Sequence, residues 1–162
     1  MNERASGDPR VGILFGSESD REVMSEAGKV LERFGVAHEM QAISAHRTPD
    51  AVRDYARQAR DRGIRVLICG AGMAAHLAGA VAANTTLPVL GVPLPGGTLD
   101  GLDALLSTVQ MPAGVPVATL AVGKAGARNA AVLALQILAL GDEAVARRVD
   151  ELKEAMARGE RL

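Results

Sequence analysis

A serine, a histidine and an arginine lie within four residues of one another in the segment Ser44-Ala-His-Arg47. Histidine titrates near neutral pH and can transfer protons. The arginine fork can bind a phosphate through two hydrogen bonds, although Arg47 could equally be an ordinary surface cation. A hydroxyl, a proton-transfer group and a fixed cation in one turn are poorly suited to a hydrophobic core. They favour a site, with His46 as its proton-transfer residue.

The flanking residues predict that this segment is a loop between a strand and a helix. The alternating residues 39–43 predict a strand. Thr48-Pro49-Asp50 predicts the start of a helix, with Thr48 as N-cap, proline in the first turn and an acid near the positive end of the dipole. In open α/β sheets, loops of this kind bind ligands.

A second loop of this type is predicted at Gly16-Ser-Glu-Ser-Asp20, after the first predicted strand. Glycine permits a tight turn, and hydroxyls together with the N-terminus of a helix favour a bound anion such as phosphate. Asp20 could instead hold ribose hydroxyls, as acids do in nucleotide-binding folds. A purely structural alternative stays open, in which Ser19 or Asp20 is only an N-cap.

A third glycine-containing loop, Gly70-Ala-Gly-Met-Ala-Ala75, matches the dinucleotide pattern G-x-G-x-x-A only formally. It follows the third predicted strand rather than the first, and the nearest later acid is Asp100, too far away for the ribose contact of that pattern. The glycines more plausibly let a smaller ligand approach the backbone. His76, placed just inside the next predicted helix, would face either that pocket or a packing partner.

Strand-like and helix-like segments alternate along the chain. This order predicts an α/β fold with a parallel sheet and helices on both of its faces. Residues 1–10 are expected to be a flexible lead, and 11–162 a single domain. The predicted strands are 11–15, 39–43, 65–69, 88–92 and 117–122, and the predicted helices are 20–34, 49–62, 74–84, 102–110, 125–140 and 142–158.

Composition narrows the class of protein further. The chain of 162 residues is 48% hydrophobic but only 2% aromatic, so small side chains must fill its core, and burial between subunits would add stability. A net charge of −1 with interspersed signs argues against nucleic-acid and membrane partners. The single Cys69, scattered histidines and no visible signal peptide predict a cytoplasmic protein without disulfides or a metal site.

Read together, the three loops resemble one family, the N5-carboxyaminoimidazole ribonucleotide mutases of purine biosynthesis, the bacterial class of the phosphoribosylaminoimidazole carboxylase family. The resemblance covers about residues 10–150, in order and almost without gaps. Further segments that carry it are Leu87-Pro-Val-Leu-Gly-Val-Pro93, Val109-Gln-Met-Pro112, Gly114-Val-Pro-Val-Ala-Thr119 and Asn129-Ala-Ala131.

The resemblance implies a flavodoxin-like three-layer αβα sandwich that assembles as a homo-octamer, with C-terminal helices packing on neighbouring subunits. It implies an imidazole ribonucleotide substrate and no cofactor or metal. By the same resemblance, His46 is the catalytic acid/base, Ser17 and Arg47 bind phosphate with help from Ser44, and Asp20 holds the ribose. The residues implied to line the carboxylate and carbon dioxide site are Gly72, Met73, Ala75, His76 and Leu77.

The chain departs from the family pattern Gly-Gly-Ala-Ala-His-Leu-Pro-Gly at two positions. Met73 stands where the family has glycine, and Ala78 where it has proline. The alternative activity is direct carboxylation of aminoimidazole ribonucleotide with free carbon dioxide, but the Ala-Ala-His-Leu segment favours the mutase. A non-catalytic flavodoxin-like module fits poorly. Flavin sites usually stack aromatic rings, of which the chain has only Phe15, Phe34 and Tyr55, and a phospho-receiver would need acids where Phe15-Gly16-Ser17 stands.

Overall fold

The computed structural model describes residues 8–162, so most of the predicted lead, residues 1–7, lies outside the described residues. The strands are β1 (Val11–Phe15), β2 (His38–Ala42), β3 (Val66–Gly72), β4 (Val89–Leu94) and β5 (Ala118–Thr119). They form one parallel sheet in the order β2-β1-β3-β4-β5. This is the strand order of the flavodoxin-like fold. The α/β fold with a parallel sheet, predicted from the sequence, is confirmed.

Helices cover both faces of the sheet, which is why its central strands are apolar along their whole length. The helices are α1 (Arg21–Arg33), α2 (Pro49–Gln58), α3 (Leu77–Ala82), α4 (Leu102–Val109), α5 (Lys124–Ala139) and α6 (Glu143–Ala157). On one face of the sheet, α1 and α5 pack against each other and α6 packs on α5. On the other face, α2 packs against α3, and α4 packs on β4. α6 adds Val145, Val149 and Leu152 to the same core as α1 and α5.

Four elements differ from the sequence expectation by three or more residues at one end. α2 ends at Gln58 instead of Arg62, β3 continues to Gly72 instead of ending at Cys69, and β5 and α3 are shorter than expected. β5 pairs with β4 over only two residues, Ala118 and Thr119, although a strand over 117–122 was expected. α3 begins at Leu77 rather than Ala74, because residues 73–76 form a tight turn in which the His76 N–H donates to the Ala74 carbonyl at 2.8 Å. His76 is therefore the residue before α3, on the loop, and not inside the helix.

The order of the strands determines where a ligand can bind. The chain leaves β1 toward β2 on one side and returns to β3 on the other, so β1 and β3 form the switch point of the sheet. The loops after these two strands separate at their carboxyl ends and leave a crevice. None of the helices within residues 8–162 has the length and apolar character needed to cross a bilayer.

Candidate active site

Four loops meet at the carboxyl ends of β1, β2, β3 and β4 and enclose a cleft of about 390 Å³. Nine of the ten residues predicted for the site line this cleft; Ala75 does not. The lining residues are Gly16, Ser17, Ser19, Asp20, Ser44, Ala45, His46, Arg47, Ala71, Gly72, Met73, Ala74, His76, Leu77, Pro95, Gly96 and Gly97.

Two histidines from different loops contact each other in the cleft. Nε2 of His46 lies 2.7 Å from Nδ1 of His76, with the ring centroids 4.9 Å apart and the ring planes at 78°. One of these nitrogens carries the proton and the other accepts it, since a hydrogen bond of this length needs one donor and one acceptor. The sequence left open whether His76 faces the pocket. The structure places it in the pocket, in contact with His46.

The loop that carries His46 is held by a compact turn. Thr48 Oγ1 accepts a hydrogen bond from the Ser44 N–H at 3.1 Å and donates one to the Ser44 carbonyl at 3.0 Å. Thr48 occupies the N-cap position of α2, as predicted, but its hydroxyl closes the turn and makes no capping hydrogen bond to the helix. Ser44 Oγ accepts the Arg47 N–H at 3.2 Å, which further fixes the loop. Pro49 begins α2 as predicted.

Arg47 joins the loop after β2 to the loop after β1. One of its guanidinium nitrogens, Nη2, donates to the Gly16 carbonyl at 2.8 Å. This bond uses one of the five N–H groups of the side chain. It holds the positive charge at the end of the cleft formed by Gly16 and Ser17.

Polar side chains of the loop after β1 bond to one another around Ser17. Ser17 Oγ accepts from the Ser19 N–H at 3.4 Å and from the Ser19 hydroxyl at 3.0 Å, so that Ser17 caps the 3₁₀ turn Glu18–Asp20. Asp20 precedes α1 without a side-chain capping bond. Partial burial raises the pKa of the Asp20 carboxyl above its usual value, although the Ser19 hydroxyl, the Ser17 backbone and the charge of Arg47 act in the opposite direction.

The loop after β3 forms the other wall of the cleft. Met73 is 60% exposed and adopts a conformation that favours glycine (φ +54°). Its side chain lies beside the next loop, since a Cβ atom on Gly97 would be 3.2 Å from Met73 Cγ. Ala75 is only 2% exposed and lies behind the lining; its N–H donates to Ser107 Oγ at 3.1 Å.

Sequence reasoning missed the segment Pro95-Gly96-Gly97, which closes the cleft from the side of β4. A signal was available, because two glycines follow a proline directly after a buried strand that neighbours β3. Within residues 8–162, no three His, Cys, Asp or Glu side chains are grouped as metal ligands.

The chain is similar to known proteins over nearly its whole length. A sequence model of the AIR carboxylase family matches residues 10–159. The chain is 57% identical to the N5-carboxyaminoimidazole ribonucleotide mutase of Bacillus subtilis, covering 90% of each chain, and 55% identical to that of Thermotoga maritima, covering 93% of this chain and 86% of the relative. Its fold superposes on the crystal structure of PurE from Treponema denticola with a TM-score of 0.83 at 29% identity, covering 93% of each chain.

The family model matches almost the whole chain, and the chain covers most of the length of relatives to which it is more than 50% identical. Similarity of this extent shows membership of a family and not only a shared fold. The strand order, the cleft at the switch point and the sequence similarity all lead to the same assignment. This chain belongs to the AIR carboxylase family.

Proposed function

We propose that the chain converts N5-carboxyaminoimidazole ribonucleotide into 4-carboxyaminoimidazole ribonucleotide, a step of purine biosynthesis. The observation that carries the proposal is the pair of imidazoles, His46 and His76, 2.7 Å apart in a cleft that Arg47 and Ser17 also line. A proton-transfer pair and an anion-binding group in one cleft match a substrate with a reactive ring and a phosphate. The 57% identity to a named mutase favours this reaction over direct carboxylation.

In the proposed complex, the phosphate binds at the loops after β1 and β2. Arg47 supplies the charge, the hydroxyls of Ser17 and Ser44 supply hydrogen bonds, and the Asp20 carboxyl binds the ribose. Phosphate binding far from the reacting atoms would fix the position of the ring, so that its binding energy serves catalysis. The ring then lies toward His46, next to the loop that carries His76.

The reaction moves a carboxylate from the exocyclic nitrogen to a ring carbon. His46 donates a proton to that nitrogen as its bond to the carboxylate breaks, which releases carbon dioxide and the electron-rich aminoimidazole. The ring carbon then attacks the carbon dioxide, and His46 removes the proton from that carbon, which restores the aromatic ring. The proton is returned at the end, so one histidine serves as acid and then as base. Nε2 of His46 lies 2.7 Å from Nδ1 of His76, so a proton can pass between the two rings.

Carbon dioxide is small and uncharged, and the cleft must retain it between the two steps. The cleft lining includes Ala71, Gly72, Met73, Ala74 and Leu77 around His76, together with Gly96 and Gly97, of which Gly97 lies beside Met73. These groups are apolar or small, which suits a neutral molecule. We expect the carboxylate to move within this part of the cleft.

We further propose that the chain acts as a cytoplasmic homo-octamer. Leu102, Leu106 and Val109 form an exposed apolar stripe along one side of α4, with 52%, 52% and 45% of their surface exposed. Contiguous exposed apolar side chains of this kind mark surfaces that bind another protein. A second copy of the chain is the occupant we propose. Burial raises the pKa of the lone Cys69 thiol, consistent with an inert core residue in a reducing compartment.

The test is an ATP-free assay of the purified protein with N5-carboxyaminoimidazole ribonucleotide, and in parallel with aminoimidazole ribonucleotide plus bicarbonate. Rapid formation of the 4-carboxy product from the first substrate is expected. Product from the second mixture alone would establish the direct carboxylase instead. No product in either would refute both activities.

The role of the histidines is tested with His46→Asn and His76→Asn. Because His46 makes both proton transfers, His46→Asn should lower kcat at least about 100-fold. His76→Asn should lower kcat less, about 10-fold. The matched control is His38→Asn, since His38 is buried at the start of β2, away from the cleft. Its kcat should stay within about twofold even if its stability falls. Near-normal turnover by His46→Asn would refute the assignment.

A further inference from the structure

Ser107 lies on α4, outside the cleft lining, yet its hydroxyl contacts the loop that carries His76. Ser107 Oγ accepts a hydrogen bond from the Ala75 N–H at 3.1 Å and lies 3.3 Å from the Met73 carbonyl oxygen. These contacts join positions that are 32 and 34 residues apart in the chain. α4 is thereby attached to the wall of the cleft.

The bond to Ala75 matters because the loop is otherwise under strain. Ala75 is 2% exposed, and a buried N–H without a partner destabilises the fold. Two residues earlier, Met73 has a left-handed backbone, which is unfavourable for a residue with a side chain. A loop with these two features keeps its shape only if neighbouring groups hold it. Ser107 is such a group.

We propose that Ser107 is a positioning residue: its hydroxyl fixes the backbone of residues 73–75 and so holds His76 next to His46. His76 follows Ala75 directly, and its own N–H donates to the Ala74 carbonyl at 2.8 Å. A change in the path of residues 73–75 would therefore move the His76 ring away from its partner, 2.7 Å distant. The effect on turnover rests on the proposed function, whereas the effect on the histidine pair does not.

A serine in a helix can also bond only to its own helix, and this alternative needs a control. Ser107 Oγ lies 2.8 Å from the Asp103 carbonyl and can donate its one proton there. Thr108, the next residue, makes the same kind of bond, donating to the Ala104 carbonyl at 2.7 Å. Its side chain contacts β4 near Gly91 instead of the loop. Thr108→Val therefore removes a helix-bonded hydroxyl of the same type and preserves its shape.

The experiment compares the wild-type protein, Ser107→Ala and Thr108→Val in three measurements without relying on activity alone. Hydrogen exchange of the peptide covering residues 72–80 should be about 10-fold faster in Ser107→Ala and unchanged in Thr108→Val. In protein labelled with ¹⁵N-histidine, the signals of the His46–His76 pair should shift only in Ser107→Ala. Its kcat should fall about threefold to 10-fold, no more than in His76→Asn, because Ser107 acts through His76. KM should stay within about threefold, because the loops after β1 and β2 are untouched.

Ser107→Cys provides the conservative variant, since a thiol is a weak acceptor in the same place. Its exchange rate and kcat should lie between those of the wild type and Ser107→Ala, and it serves as the test if Ser107→Ala does not fold. Wild-type exchange and histidine signals in Ser107→Ala would overturn the proposal, as would equal effects in Thr108→Val. Altered histidine signals in a protein that converts neither substrate would refute the proposed function and leave the positioning role in place.

Discussion

At the scale of single residues, the loop after β2 connects the two parts of the site, because it carries both His46 and Arg47. The anion-binding candidates Ser17 and Arg47 belong to the loops after β1 and β2, whereas His76 comes from the loop after β3. His46 lies between the two and contacts only the second through its ring nitrogen. Substitutions in the first group should therefore weaken substrate binding, and those in the histidine pair should slow the chemical step.

Met73 is the residue at which this chain departs most clearly from its family pattern, and it yields a prediction. Met73→Gly would relieve the strain of a left-handed backbone at φ +54°. It would also raise the conformational entropy of the unfolded chain, which acts in the opposite direction. The free energy of unfolding should therefore change by no more than about 1 kcal/mol. The substitution would also remove the side chain beside Gly97 at the mouth of the cleft. Carbon dioxide should then escape more often, and more aminoimidazole ribonucleotide should be released per product formed.

The measurement is the ratio of aminoimidazole ribonucleotide to 4-carboxy product, corrected for spontaneous decarboxylation. We expect at least a threefold increase in Met73→Gly. Met73→Leu is the matched control, because it keeps an apolar side chain of similar volume at the same position, and its ratio should remain that of the wild type. An unchanged ratio in Met73→Gly would show that the methionine does not retain carbon dioxide.

At the scale of elements, an ion-pair network joins α1 to α5. Glu26 on α1 accepts from Lys29 Nζ at 2.7 Å and from Arg128 Nε, on α5, at 2.8 Å. These two partners lower the pKa of Glu26 to about 2, with the Lys29 bond the larger cause. The carboxylate is nearly buried, whereas both cations are well exposed, so the network contributes much less than the pKa shift alone would imply.

The network predicts how stability responds to acid. The pKa of Glu26 is lower in the folded chain than its unfolded value of about 4.3, so its stabilisation is fully present above about pH 5. It is lost as the pH falls from there toward 2. Glu26→Gln should therefore lower the free energy of unfolding by about 1 kcal/mol at pH 7 and by almost nothing near pH 2.

Urea unfolding at pH 7, 5 and 3 measures this difference. Glu32→Gln is the control, since Glu32 is exposed on the same helix, and it should leave the unfolding midpoint nearly unchanged at each pH. If Glu26→Gln destabilised the protein equally at every pH, packing around the side chain rather than its charge would be responsible.

Much of the architecture follows from local patterns in the sequence, but side-chain partners do not. The strand Val11–Phe15 has the bounds expected from its apolar run, and Pro49 begins α2, because both depend on a few adjacent residues. Thr48 and Ala75 behave otherwise. The Thr48 hydroxyl bonds within its turn instead of capping the helix, and Ala75 turns toward Ser107, 32 residues away. The partners of these hydrogen bonds depend on tertiary contacts, which cannot be predicted from one segment of the sequence.

At the scale of the whole molecule, small side chains determine how the layers pack. Ala127, Ala130, Ala131 and Ala134 are fully buried on α5, in the core that α5 shares with α1. Small groups allow close approach but bury little apolar surface in a chain of 16.8 kDa. The exposed stripe on α4 offers the additional area, and it adjoins the helix position from which Ser107 contacts the loop of the site. Assembly and activity should therefore depend on each other.

Leu106→Asp tests this dependence, because it places a charge in the centre of the stripe, at a side chain that is 52% exposed in the isolated chain. If a second copy covers the stripe, burying the new charge is unfavourable and the assembly should dissociate into smaller species by sedimentation velocity. If the stripe faced solvent in the native state, Leu106→Asp would leave the mass unchanged and increase solubility.

The control is Gln58→Asp, which adds a charge at an exposed position of α2 and should keep the wild-type mass. We expect the dissociated Leu106→Asp protein to retain its fold by circular dichroism but to lose about threefold to 10-fold in kcat. That loss is the expected result if the loop of residues 73–75 keeps its shape only while α4 is held in place by a neighbouring subunit.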